Sequence, residues 1–280
     1  MTIQKPIGRL GATDAPLSVA GVSVAVRDQE LVAPFYRQAL GLELLSQATD
    51  ALQLGVGGAP LLELRHRPDL LPRDPAAAGL YHTAFLLPIR ADLGRWLRHA
   101  AETGLTLDGT ADHLVSEAVY LHDPEGNGIE VYADRPRSEW GWQDGQVVMA
   151  NDRLDMIGLR ALATERWDGA PEGTRVGHVH LQVGDTREAE HFYTGLLGLD
   201  VTRRWPQAVF LSSGGYHHHI AANIGHSAGA GRRDPGRAGL TGLVWRAADP
   251  ETAARLAATA GVDPSGIPLR FISADPGVFA

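Results

Sequence analysis

The chain has 280 residues, 44% of them hydrophobic, a formal charge of −8 and no cysteine, a length that suits two domains of about 100 to 150 residues. The acidic balance argues against nucleic acid or an anionic membrane as partner, since only Arg232, Arg233 and Arg237 group locally. The absence of cysteine excludes disulfides, thiolate zinc sites and thiol catalysis, so any metal must be held by nitrogen and oxygen.

In chain order, no run reaches the roughly 18 to 20 apolar residues of a membrane span, and the first sixteen residues lack an apolar signal core. A cytoplasmic protein is the expectation. From Val22, VSVAVRDQELVAPFYRQALGLEL alternates apolar and polar residues up to Asp28, then takes helical spacing that buries Phe35, Tyr36 and Leu40, then stops at Gly41. That is a strand and a capped helix. Short strands are predicted over Ala51–Val56 and Pro60–His66. Gly79 opens GLYHTAFLLP, a strand, followed by a helix from about Ala91 to Thr103 and strands over Glu117–His122 and Gly128–Tyr132. A stretch rich in Trp, Gly and Asp follows. The opening pattern then recurs from Val179 as VHLQVGDTREAEHFYTGLLGLDV, with Asp185, Phe192, Tyr193, Leu197 and Gly198 in the repeated positions. Strands are predicted over Ala208–Ser212 and His217–Asn223. Last comes GLVWRAADPETAARLAATAG from Gly242, a shorter counterpart of the Gly79 unit.

These elements make four βαβββ modules and predict an α+β protein with curved antiparallel-rich sheets. The expected division is residues 1–135 for one pair of modules, 136–174 for a linker and 175–280 for a second pair. The last module is a hairpin short, unless its DPSG matches the earlier DPEG only by coincidence.

Ligand-type side chains fall on the strand-like segments: His82 and Glu130 in one half, His178 and the run His217-His218-His219 in the other. Two imidazoles and one carboxylate on one face of a metal, with the other positions open, are what non-haem Fe(II) uses to hold a substrate beside O2. Along a strand His217 and His219 alternate with His218, so the triple puts at most two rings on one face. His66, His99, His122, His191 and His226 read as ordinary surface or hydrogen-bonded histidines.

The repeated D-x6-F-Y-x3-L-G-L unit resembles the vicinal oxygen chelate superfamily of glyoxalases, bleomycin-resistance proteins and extradiol dioxygenases. GLYHTAFLLPIRADLGRWLRH, ADHLVSEAVYLHDPEGNGIEVYADRPRSEW, GHVHLQV and GGYHHHIAANI are similar to its two-domain, catechol 2,3-dioxygenase-like members. The resemblance implies two cup-shaped mixed sheets, each built from two modules, with a divalent metal at the bottom of a cup. It implies His178, His82 and Glu130 as ligands of Fe(II), with Mn(II) as second choice. It implies His218 as acid and base, Tyr120 and His113 against the substrate, and His217 and His219 as substrate-binding residues or neighbours of the site. The implied reaction opens a small aromatic diol with O2 next to the hydroxyl pair. A homo-oligomer is compatible with it.

Neither half alone carries three ligands. In module one, Gly21 takes the position of His178; in module four, Trp245 takes that of His82 and Arg270 that of Glu130. Modules two and three are therefore expected to share the metal cup, leaving modules one and four to form a second, structural one. Two rivals stand beside this reading. One is a glyoxalase-like lyase or epimerase, using Glu63 or a second carboxylate and no O2. The other is a metal-free, drug-sequestering protein holding an aromatic ligand between residues such as Trp142, Trp167 and Trp205.

Overall fold

The computed structural model describes Ala12 and residues 14–273. Module one contains β1 (Leu17–Val26), α1 (Gln29–Leu40), β2 (Glu43–Gln47), β3 (Ala51–Val56) and β4 (Ala59–His66). Module two contains β5 (Gly79–Leu87), α2 (Arg90–Thr103), β6 (Gly109–Asp112), β7 (Ser116–His122) and β8 (Gly128–Asp134). A two-stranded hairpin, β9 (Trp142–Gln143) and β10 (Gln146–Val147), and a short helix α3 (Met156–Ala161) lie in the connecting stretch. Module three contains β11 (Arg175–Gln182), α4 (Thr186–Gly195), β12 (Asp200–Trp205), β13 (Ala208–Ser212) and β14 (Ile220–Asn223). Module four keeps only β15 (Gly239–Ala247), α5 (Pro250–Thr259) and β16 (Leu269–Ser273), so the predicted missing hairpin is absent from the described residues.

Local chemistry sets the helix limits. Asp28 and Asp185 accept from backbone amides of the first helical turn, at Leu31 and Arg187, and so cap α1 and α4. Gly41 ends α1 at φ 71°, and a Cβ there would meet the Gly169–Ala170 backbone at 2.5 Å, so only glycine serves.

The modules pair across the halves. The eight-stranded sheet runs β12-β13-β14-β11-β5-β8-β7-β6, joining module three to module two, and the six-stranded sheet runs β16-β15-β1-β4-β3-β2, joining module four to module one. Each sheet is mixed. The same order recurs in both, with β14 parallel to β11, β11 antiparallel to β5 and β5 parallel to β8, matched by β4, β1, β15 and β16. This is the α+β arrangement of curled mixed sheets expected from the sequence.

Period two divides each strand between two environments. Phe85 and Leu87 of β5, Val179 and Leu181 of β11, and Val24 and Val26 of β1 join Tyr36, Trp96, Tyr193 and Leu256 of the helices in one large core. The other face of the eight-stranded sheet carries Ala84, Leu86, Ala118, Tyr132, Phe210 and Ala221, covered by Trp140 and Tyr216. Burying each large side chain contributes roughly 1.5–3 kcal/mol, so the first cluster supplies most of the cohesion between modules.

Two sequence expectations need correction. The register of β15 pairs Val244 with both Gly21 and Arg270, as Ala84 pairs with both His178 and Glu130. Gly242, not Trp245, therefore stands where His82 stands; Trp245 is the counterpart of Phe85 and is fully buried in the core. The sequence alignment slipped by three residues because GL occurs twice, at Gly239 and Gly242. The strand predicted over His217–Asn223 begins only at Ile220; the Gly214–Gly215 turn, both at positive φ, delivers the three histidines in irregular backbone. Among the described residues no helix is long and apolar enough to cross a membrane.

Candidate metal centre

Tyr120, Glu130, Ala84 and His178 stand at one level across β7, β8, β5 and β11. His82 lies two residues before Ala84 and so shares its face, opposite His180 on β11. A bulge between Val176 and His178 admits Gly177, where a Cβ would fall 1.8 Å from the Tyr132 hydroxyl. Three strands brought together from both halves thus aim two imidazoles and one carboxylate at a common point.

The convergence is tight and dry. His82 is 6% exposed and Glu130 and His178 are each 2% exposed. Nε2 of His82 lies 2.9 Å and Nε2 of His178 3.1 Å from the same oxygen, Glu130 Oε2, and one ligand atom from each residue lies within 4.8 Å of the others. The short His82 contact is not aligned as a hydrogen bond, and His82 Nε2, Glu130 Oε1 and His178 Nδ1 are buried without partners. Unpaired buried polar atoms cost about 1–3 kcal/mol each, so their clustering at one point calls for a further partner.

The electrostatics agree. Burial lowers His178 to about 4, so its ring is a neutral donor. Burial works to raise Glu130, but the imidazoles of His178 and His82 outweigh it and hold the carboxyl well below its usual range. A buried carboxylate held in its ionised form beside unpaired imidazole nitrogens is suited to a cation, and a divalent metal supplies one. The donor set fits that group.

On one side of the point, Tyr120 bonds Nε2 of His113 at 2.7 Å while Nδ1 of His113 faces the carbonyl of Ala150 at 2.8 Å. A carbonyl only accepts, so Nδ1 of His113 donates to it, and a ring that carries one proton then accepts at Nε2 from Tyr120. The lone pairs of the Tyr120 oxygen remain for a ligand. Burial, then Glu130, raise the phenol well above its usual range, so it stays protonated.

On the other side, the ring of His218 lies on that of His178, centroids 4.0 Å apart, and against Phe210 at 5.1 Å. Burial, followed by His178 and His217, holds His218 well below the usual imidazole range. His217 sits behind it, packed on Tyr216 and Trp140 and bonded to Asp134 at 2.9 Å. His219 has both nitrogens engaged, Nε2 with the carbonyl of Ala12 at 2.8 Å and Nδ1 with Ser212 and Ser213. It ties the Ala12 backbone to the sheet, and neither nitrogen is left for a substrate.

Other singled-out residues lie elsewhere. Glu63 is on the six-stranded sheet, bonded to Ser23 at 3.1 Å and Arg65 at 2.6 Å. Trp205 packs on Phe210 at the cup, whereas Trp142 is exposed and Trp167 stacks on His99. Sequence reading passed over His180, whose ring lies 4.9 Å from that of His82, and Asp134. Both were reachable by period two, His180 from His178 and Asp134 from Glu130.

The profile of the Glyoxalase/Bleomycin resistance protein/Dioxygenase superfamily matches residues 18–131 and 175–270. A catechol-2,3-dioxygenase of Bacillus subtilis (strain 168) is 42% identical over 219 residues, 76% of this chain and 75% of that one. Biphenyl-2,3-diol 1,2-dioxygenase 3 of Rhodococcus globerulus is 29% identical over 103 residues, 36% of this chain and 54% of that one. In structure, a candidate dioxygenase from Bacillus subtilis subsp. subtilis str. 168 superposes with a TM-score of 0.64 at 16% identity, covering 93% of this chain and 86% of that one. Glyoxalase I from Zea mays does so with a TM-score of 0.53 at 15% identity, covering 94% of each. At such identities the superpositions speak for the fold alone, but the profile spans most of the chain, which belongs to the glyoxalase/bleomycin resistance protein/dioxygenase superfamily.

Proposed function

We propose that the protein is an extradiol dioxygenase that opens a catechol-type aromatic diol with O2, using Fe(II), or Mn(II), held by His82, Glu130 and His178. The observation that carries this reading is the convergence of two buried imidazoles and one buried carboxylate, with unpaired lone pairs, between Tyr120 and His218. The named activity of the Bacillus subtilis relative supports it.

When bound, the metal supplies Lewis acidity toward two vicinal oxygens and a redox partner for O2. The chain does the rest. His218 takes a phenolic proton and later returns it. The Tyr120 oxygen, its proton committed to His113, accepts a hydrogen bond from the diol and holds the ring in place. Phe210 and Trp205 give the ring an apolar surround and exclude water. The carbon–carbon bond beside the diol breaks, and both atoms of O2 enter the product. A lyase or epimerase drawing on Glu63 would need that carboxylate at the centre, but it is bonded within the other sheet.

The test is anaerobic reconstitution with Fe(II), determination of metal per chain, then addition of catechol and air. Yellow ring-cleavage product with O2 uptake, both lost in His178→Ala, is the expected result. Bound metal without O2 uptake would favour a lyase or epimerase, and no bound metal a binding protein.

A further inference from the structure

We propose that Asp134 and His217 form a relay that fixes which nitrogen of His218 carries the proton, making both of them positioning residues. The inference rests on the ring-cleavage reading for its purpose, though not for its geometry. Asp134 Oδ1 lies 2.9 Å from Nε2 of His217, and Nδ1 of His217 lies 2.8 Å from Nδ1 of His218. A carboxylate only accepts, so His217 donates through Nε2, and a ring that carries one proton then offers a bare Nδ1. Nδ1 of His218 must then donate to it. Nε2 of His218 is left without a proton, and among the described residues none bonds it.

The relay is held firmly. His217 is fully buried, and its ring lies between Tyr216, at 4.0 Å, and Trp140, at 5.1 Å. Tyr216 donates to Asp134 Oδ1 at 3.2 Å and is itself bonded to the Tyr132 hydroxyl at 2.8 Å, so a buried tyrosine held from behind orients the carboxylate. When Nε2 of His218 takes a proton, both relay bonds persist unchanged and the new positive charge faces a chain of acceptors ending in a carboxylate. No proton has to leave His217. Asp134 lies four residues beyond Glu130 on β8, so one strand supplies both the metal-facing carboxylate and the one that orients the base.

The test reads tautomers directly. Long-range 1H–15N correlation spectra of the full-length chain, metal-free and with Zn(II) as a diamagnetic probe, are expected to show His218 protonated at Nδ1 and His217 at Nε2. His217→Phe keeps an aromatic ring but offers no acceptor. It is expected to shift His218 toward Nε2–H and, in the Fe(II) enzyme, to lower kcat at least about 100-fold with KM and metal content unchanged. His217→Gln restores an acceptor and a donor and is expected to recover about tenfold of that loss. Wild-type His218 found protonated at Nε2, or equal kcat in the Phe and Gln variants, overturns the relay. Correct tautomers in a protein that takes up no O2 with catechol would uphold the relay and overturn the ring-cleavage reading alone.

Discussion

The hydroxyl of Tyr193 donates to Asp263 across 3.1 Å, tying the helix of module three to the DPSG turn of module four. Tyr36 makes the same bond to Asp123 in the DPEG turn of module two, at 3.3 Å. In both turns the aspartate accepts from the backbone amide four residues on, Ile267 in one and Asn127 in the other. The DPSG match is therefore a true counterpart. The two conspicuous tyrosines of the repeat are struts between successive modules, although those modules lie in different sheets.

This relationship has a pH signature. Burial raises the Asp263 carboxyl to about 6, whereas an unfolded aspartate titrates near 3.9. The fold binds this proton more tightly than the unfolded chain does. Its contribution is thus fully present below about pH 3.9 and is lost as pH rises through 6, an effect of roughly 3 kcal/mol. Asp263→Asn cannot ionise yet keeps an oxygen for the Ile267 amide, so it is expected to gain on wild type between about pH 4.5 and 7.5. Urea unfolding of both proteins at several pH values checks this; a difference that does not change with pH would mean the carboxyl is ionised throughout.

Removal of one proposed ligand should abolish metal binding without unfolding the sheet. Glu130→Gln keeps the shape and hydrogen-bonding capacity of the side chain but discards the charge that balances a cation. Metal affinity is expected to fall at least about 100-fold, as even outer partners of a site are worth 10- to 100-fold. Circular dichroism should be unchanged, and a variant that binds Fe(II) as wild type does would count against this ligand set.

Tyr120→Phe removes a hydroxyl that bonds His113 at 2.7 Å and leaves the His113–Ala150 bond intact. If the tyrosine oxygen holds the diol, kcat/KM for catechol should fall roughly 10- to 100-fold, equivalent to about 1.5–3 kcal/mol, while metal content stays at the wild-type level. Steady-state oxygen uptake against catechol concentration would separate this from a purely structural change, which would lower metal content and Tm together.

The pairing of modules was legible because function leaves a trace that periodicity does not. Strand and helix patterns repeat alike in all four modules, and nothing local says that β5 should lie beside β11 rather than beside β1. The distribution of His82, Glu130 and His178 over two halves does, because the members of a candidate metal site have to converge. What stayed hidden followed from backbone that breaks its period. The bulge at Gly177 and the turn at Gly214–Gly215 reset which side chains face the cup, so His219 points to the Ala12 carbonyl and His218 reaches His178. Trp245 was misplaced for a different reason, since a repeated GL dipeptide offers two alignments and only burial chooses between them.

Gly177 offers a test of how closely the ligand strand must approach its neighbour. A Cβ at this position would lie 1.8 Å from Oη and 2.8 Å from Cζ of Tyr132, whose hydroxyl is bonded to Tyr216. Gly177→Ala must therefore push the Tyr132 ring away or lift β11 at the residue preceding His178, an overpacking expected to cost about 1–3 kcal/mol. Because the strand carries His178, a proposed ligand, metal affinity should fall along with Tm. Adding Tyr132→Phe removes the nearest atom but leaves Cζ inside contact distance, so the double variant should recover part of both losses, and the two substitutions should not be additive. Equal losses in the single and double variants would place the strain elsewhere than against the Tyr132 hydroxyl.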